Sequence, residues 1–177
     1  WWTIDRHLTL EQTKYSAVET LISCIRNGVT TVFDHHASFG QIGGSLFTIA
    51  DVAKELGVRA CLCYEISDRD GMDKARESVM ENAEFIRYAL KDDTDMIAGM
   101  MGMHAQFTIS DATMELAAAN KPDEVGYHIH VAEGIEDLHD CLKKYGKRIV
   151  DRLMDFNILG EKTLLGHCIY INPHEMD

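Results

Sequence analysis

The sequence has only 2 prolines among 177 residues, 13 glycines, and no Ser-, Gly- or Gln-rich tract. Those shortages exclude a collagen-like or low-complexity chain. They leave a globular composition, 46% hydrophobic and 26% charged, of a length that suits one domain. Positive charge is also short, with 17 basic residues against 29 acidic ones and a formal net charge of −12. Nucleic-acid polymers and anionic membranes are held by clustered Lys and Arg, so neither is an expected partner. No run approaches the roughly 18 apolar residues of a membrane span, and no basic-then-apolar signal stands at the N-terminus. The five cysteines have no framework spacing, and Cys61 and Cys63 sit two apart in an apolar run rather than in a CxxC motif. Reduced, buried thiols and a cytoplasmic location are the expectation. HExxH and GxSxG do not occur, and the small zinc deaminase signature lacks its PCxxC half.

What is present is an alternation of strand-like and helical segments. Thr9 to Asn27 reads as a helix, with Thr9 as cap, Gln12 at the capping-box position and an apolar stripe at Ala17, Leu21, Ile22 and Ile25. Further helical patterns cover 43–56, 73–90, 110–119 capped by Ser110, and 135–156 interrupted near Gly146. Between them lie short apolar runs at 29–33, 58–66, 96–103, 125–131 and 163–169. Strands that are apolar on both faces and joined by helices predict a parallel sheet with helices outside.

The ionisable residues collect at the carboxyl ends of these strands: Asp34, His35, His36, Asp68, Arg69, His104, His130, Glu133 and His167. Parallel α/β folds bind ligands at that end, in barrels and open sheets alike. Gly40, Gly43 and Gly44 do not make the Gly-rich phosphate turn of an open nucleotide-binding sheet, so a barrel with histidines at its mouth is the better reading. His128 and His130 point to one side of their strand, with Glu133 just beyond its end. Neutral imidazoles can hold Zn or Fe, and a nearby carboxylate can move protons, but a pair of core histidines fits the spacing equally well. His104 and His167, each alone at a strand end, are by themselves more often structural. Asp34-His35-His36 could hold a metal or form a turn. Three polar strand ends meeting at one mouth raise all of these together. His139 and His174 read as surface residues, and Met100, Met101 and Met103 as packing.

Gly28-Val29-Thr30-Thr31-Val32-Phe33-Asp34-His35-His36-Ala37-Ser38 resembles the second strand of the amidohydrolase superfamily. His128-Ile129-His130-Val131-Ala132-Glu133 resembles the fifth-strand motif of its cytosine deaminase-like and chlorohydrolase-like branch, and Leu165-Gly166-His167-Cys168 the sixth. Gly102-Met103-His104-Ala105-Gln106-Phe107-Thr108 resembles the fourth, with Gln106 where that pattern usually has Pro. Cys63-Tyr64-Glu65-Ile66-Ser67-Asp68-Arg69-Asp70-Gly71 is most similar to the SsnA-type aminohydrolases.

The resemblance implies a metal-dependent (β/α)8 TIM barrel, of which residues 1–177 are a partial catalytic domain covering about strands 2 to 6. The first-strand HxH pair would lie upstream of Trp1 and the eighth-strand Asp downstream of Asp177, and a chain that begins at Trp1 rather than Met reads as a piece. His130 matches the fifth-strand metal ligand, Glu133 the proton-shuttling carboxylate, and His167 the histidine facing the substrate carbon. His104 matches a substrate contact and Arg69 a weaker one; His128 matches a variable position. The implied reaction is hydrolytic deamination of a purine-, pyrimidine- or triazine-like heterocycle, with one divalent Zn or Fe in the intact protein. Dechlorination or amide hydrolysis is the alternative, and a non-catalytic barrel fragment a third. One imidazole does not hold such an ion stoichiometrically, and a homo-oligomer is expected to cover the open strand edges.

Overall fold

The computed structural model describes residues 2–176. Along the chain these form α1 (Trp2–Asp5), α2 (Leu10–Arg26), β1 (Thr31–His36), α3 (Ser45–Leu56), β2 (Arg59–Tyr64), α4 (Met72–Ala89), β3 (Ile97–Gly99) and β4 (Met101–Ala105). A 3-10 turn at Gln106–Thr108 leads into α5 (Asp111–Asn120), β5 (Tyr127–Val131), α6 (Ile135–Tyr145), α7 (Ile149–Asp155), β6 (Leu164–His167) and α8 (Pro173–Met176). All the strand pairs are parallel, in the orders β1-β2-β3 and β4-β5-β6.

Local chemistry sets the helix ends. The Thr9 hydroxyl accepts the Gln12 N–H while the Gln12 side chain accepts the Thr9 N–H, the reciprocal cap the sequence predicts. Ser110 accepts the Thr113 N–H and starts α5. Gly146, at φ 66°, ends α6, so the expected helix over 135–156 is two helices.

Two strand expectations need correction. Asp34, His35 and His36 lie inside β1 and are not a turn after it. Their backbone pairs with Leu62, Cys63 and Tyr64, and the ladder to β2 carries the strand past the β-branched run. The apolar run 96–103 is also not one uniform strand. Ile97–Gly99 pairs with β2, whereas Met101–Ala105 pairs with β5. The change of partner falls at Met100, whose N–H bonds Leu62 O while the Met101 N–H bonds Gly126 O.

A buried side chain from α4 closes that seam. Asn82 accepts the Tyr64 and Gly102 N–H groups and donates to Tyr64 O and Ser78 O. Backbone groups that the diverging strands cannot offer each other are satisfied there. Gly102 must stay bare at this seam: a Cβ would run into Tyr64 O and lie 2.9 Å from Cys63 Sγ.

The two faces of the sheet differ. Ala60, Leu62, Tyr64, Met101, Met103, Ile129 and Val131 are buried under the helices, in two apolar clusters, one for each group of three strands. Met100 is buried too, so the packing role read for the three methionines holds. The alternate positions His35, Cys63, His104, His128 and His130 face the other way, where the strand pleat puts them on one side. All five cysteines are free thiols; Cys63 and Cys141 are buried, while Cys24, Cys61 and Cys168 are half-buried. Among the described residues no strand pairs with the outer edge of β1 or of β6, and Phe33 and Ile169 beside them are exposed. The architecture is α/β with open parallel sheets, consistent with part of a TIM barrel. Among the described residues no helix is long and apolar enough to cross a membrane.

Candidate active site

The inner face gathers histidines from four strands, β1, β4, β5 and β6. The His130 ring lies 4.5 Å from that of His35, 5.8 Å from His104 and 5.1 Å from His167, centre to centre. His35 also packs edge-on against His128 at 4.9 Å. Gly166 makes room for this: a Cβ there would sit 3.3 Å from His130 Nδ1.

Hydrogen bonds fix several tautomers. Met103 O can only accept, so His35 Nε2 carries the proton in their 3.0 Å bond. The Thr108 hydroxyl donates to Ala105 O, so it accepts from His104 Nδ1–H at 2.8 Å. That leaves His104 Nε2 with a lone pair. Burial, reinforced by mutual repulsion within the cluster, lowers the proton affinity of His35, His104 and His128. It takes His35 down to about 3 and His104 and His128 down to about 4. His130 is lowered by burial and by His167, with Glu133 acting in the opposite direction.

His130 Nδ1 lies 3.1 Å from His167 Nε2, and His167 Nε2 lies 3.5 Å from Glu133 Oε2. Glu133 is 65% exposed and His167 34%. His104, Phe107, Glu133, Glu136 and Asp137 line one shallow recess beside them. The backbone is unusual at this point: Ala132, His167 and Cys168 all have left-handed φ values of 50°, 67° and 55°. Strained non-glycine residues persist only where surrounding contacts hold them, and they cluster at functional sites.

The structure thus brings His130, His167, Glu133 and His104 together. Arg69 is engaged chiefly with acidic and aromatic neighbours, although its charge lowers the proton affinity of His104. Its guanidinium is 2% exposed, forms an ion pair with Asp5, lies 3.4 Å from Glu65 and packs over Phe39. His36 faces the helix side, donating to the Ser38 hydroxyl at 2.9 Å, and His128 Nδ1 lies 3.5 Å from Cys63 Sγ. His139 and His174 are exposed, as the sequence suggests. Sequence reasoning left His35 between metal site and turn, although period-2 counting from His35 to Phe33 would have placed it on the inner face. It noted Gln106 only as a departure from the fourth-strand pattern and gave no role to Asp137 or Arg152; all three are buried, and Asp137 lines the recess.

A family model described as "Amidohydrolase family" matches residues 1–177. The chain belongs to the amidohydrolase family. It is 24% identical to the 5'-deoxyadenosine deaminase of Methanopyrus kandleri over 99% of its own length and 39% of that protein. It is 28% identical to the 8-oxoguanine deaminase of Pseudomonas aeruginosa over 96% of its length and 40% of that protein. Among solved structures, a zinc-bound adenosine deaminase from Xanthomonas campestris superposes with a TM-score of 0.83 at 20% identity, over 99% of this chain and 39% of that one. The zinc complex of an atrazine chlorohydrolase from Arthrobacter aurescens gives 0.79 at 18% identity, over 99% and 42%. The chain therefore spans about two fifths of the length of these amidohydrolase relatives.

The side chains of this amidohydrolase chain fit one position of a metal site. When His130 Nδ1–H donates to His167, His130 Nε2 keeps the lone pair that an ion needs, and a ring kept neutral by burial is in the right state to ligate. Among the described residues, however, no three His, Cys, Asp or Glu side chains converge closely enough to hold an ion.

Proposed function

We propose that residues 1–177 form the strand 2 to strand 6 part of the (β/α)8 barrel of a metal-dependent aminohydrolase, without its first and last strands. Its reaction is hydrolytic deamination of a purine-, pyrimidine- or triazine-like heterocycle. The observation that carries this reading is the meeting of His130, His167 and Glu133 at the ends of β5 and β6, beside His104. Within the family, the segment 63–71 favours the SsnA-type aminohydrolases.

His130 would hold a divalent zinc or iron in part, and such an ion supplies a water that ionises near neutral pH. Glu133, exposed and next to His167, takes the proton from the attacking water and delivers it to the ring nitrogen, which makes the neighbouring carbon more electrophilic. His167 steadies the charge that develops on that carbon's substituent. His104, its ring fixed by Thr108, contacts the substrate across the recess. Arg69 is the weaker substrate contact; its charge lies close enough to His104 to lower that ring's affinity for a proton. For the 177-residue chain alone, a second copy covering the open edges of β1 and β6 belongs to the same reading; in the intact barrel its own flanking strands cover them.

In the full-length enzyme, Glu133→Gln is expected to cut ammonia release by about 10²–10⁴-fold, the range for losing a general acid–base group. Turnover like that of the wild type on the same substrate would remove Glu133 from the mechanism. A panel of aminopurines, aminotriazines and chlorotriazines, scored for ammonia, chloride and carboxylate, separates deamination from dechlorination and amide hydrolysis. Alone, the 177-residue chain is expected neither to deaminate nor to retain metal one-to-one, which elemental analysis tests.

A further inference from the structure

Glu133 has few contacts of its own to place it. Its side chain is exposed, and its position follows from the backbone of Ala132, a non-glycine residue at φ 50°. That residue is gripped at both ends. Ala132 O accepts the N–H groups of Ile169 at 3.1 Å and Tyr170 at 3.0 Å, just beyond His167. The Ala132 N–H donates to Asp137 Oδ2 at 3.0 Å. One peptide unit therefore ties the loop of Glu133 to the loop of His167.

Asp137 is held in turn. Gln106, fully buried at the end of β4, donates from Nε2 to Asp137 Oδ1 at 2.8 Å and to Asp137 O at 3.0 Å. Arg152, 1% exposed, donates to Gln106 Oε1 and Gln106 O, both at 2.8 Å. Arg152 is fixed by Ile109 O at 3.1 Å, by Asp111 Oδ1 at 2.7 Å and by the Tyr145 ring 3.8 Å beneath it. With Oε1 occupied by Arg152, the Gln106 amide has one orientation, NH₂ toward Asp137.

We propose that Gln106 is a positioning residue: it relays the buried Arg152 to Asp137, and through the Ala132 amide it fixes Glu133 opposite His167. The role given to Glu133 rests on the proposed function, but the relay itself does not. Gln106→Glu isolates it, because the Glu keeps an acceptor for Arg152 and loses the donor to Asp137. The double variant Gln106→Glu/Asp137→Asn reverses the polarity: the Asn donates to the Glu and still accepts from Ala132.

Residue-resolved hydrogen exchange on the full-length protein reads the relay without any substrate. Gln106→Glu is expected to speed exchange at the Ala132 amide by about tenfold, the loss of roughly one buried hydrogen bond. The Glu65 amide, bonded to His36 O in the other half of the sheet, should not change. The double variant should restore slow exchange at Ala132. An unchanged Ala132 amide in Gln106→Glu, equal acceleration at Glu65, or no recovery in the double variant would each overturn the relay. With an active substrate in hand, Gln106→Glu should lower kcat far more than it raises KM and the double variant should recover kcat. If the wild-type enzyme releases no ammonia from the panel, the proposed function fails while the exchange result still decides the relay.

Discussion

The carboxyl ends of β1 and β2 and those of β5 and β6 carry similar residue types but hold them differently. In the first half the side chains other than His35, which reaches across to Met103 O, are engaged with their own neighbours. His36 donates to Ser38, the Tyr64 hydroxyl accepts the Ser38 N–H, and Arg69 is enclosed by Asp5, Glu65 and Phe39. In the second half His167 and Glu133 keep exposed faces, and the anchoring is done one layer back by Asp137, Gln106 and Arg152. A saturated polar group is rigid and chemically quiet, whereas a group positioned from behind keeps its reactive atoms free. The second half is the one that leaves the side chains of the proposed chemistry, His167 and Glu133, accessible.

The largest test of this contrast is at the seam. Asn82→Ala would leave the buried Tyr64 and Gly102 N–H groups and Tyr64 O without partners. It should cost about 3–5 kcal/mol in urea unfolding. A loss below about 1 kcal/mol would show that the halves are joined without Asn82, by apolar packing and the remaining backbone bonds across the seam.

Acid should act on the first half next. Burial takes His36 down to about 4, well below the 6.5 of a free histidine. The unfolded chain therefore binds a proton first as pH falls, so the stability His36 allows is complete above about 6.5 and is lost toward 4. From pH 7 to pH 5 this amounts to about 1–2 kcal/mol, which His36→Gln should abolish. Asp34 shares the cavity on that side of β1 and is pushed up to about 6 by burial, so its contribution runs the other way and weakens as pH rises through that value. His35, His104 and His128, which burial also lowers, keep the rest of the slope. An unchanged pH slope of the urea midpoint in His36→Gln, rather than one reduced by that increment, would therefore remove His36 from the acid response.

The smallest test compares the caps. Thr9→Ala in the first half and Ser110→Ala in the second should each cost about 1 kcal/mol. If the sheet unfolds as one unit, both should lower the same single transition. Two separable transitions would mean that the halves are independent.

Much of the fold was legible because periodicity and caps are local. The capping box at Thr9 and Gln12, the Ser110 cap and the break at Gly146 stand where the sequence puts them. The strand ends were less legible. Asp34-His35-His36 reads as polar punctuation along the chain, yet pairing with β2 extends the strand through it. Met96 to Met103 reads as one apolar run, and nothing in it announces that its partner changes at Met100. In the site, the motif around His130 and Glu133 was visible because its spacing is short. Gln106, Asp137 and Arg152 are distant in sequence, and only their burial against one another gives them a role.

By itself the sequence determined the alternation of strands and helices, the parallel class and the end of the sheet where the histidines gather. Those follow from side-chain alternation and helix-terminus chemistry, which act over a few residues. The tertiary structure decided which imidazoles meet, which nitrogens carry their protons and what holds Glu133 in place. Those depend on register between strands and on desolvation, and neither exists until the chain is packed.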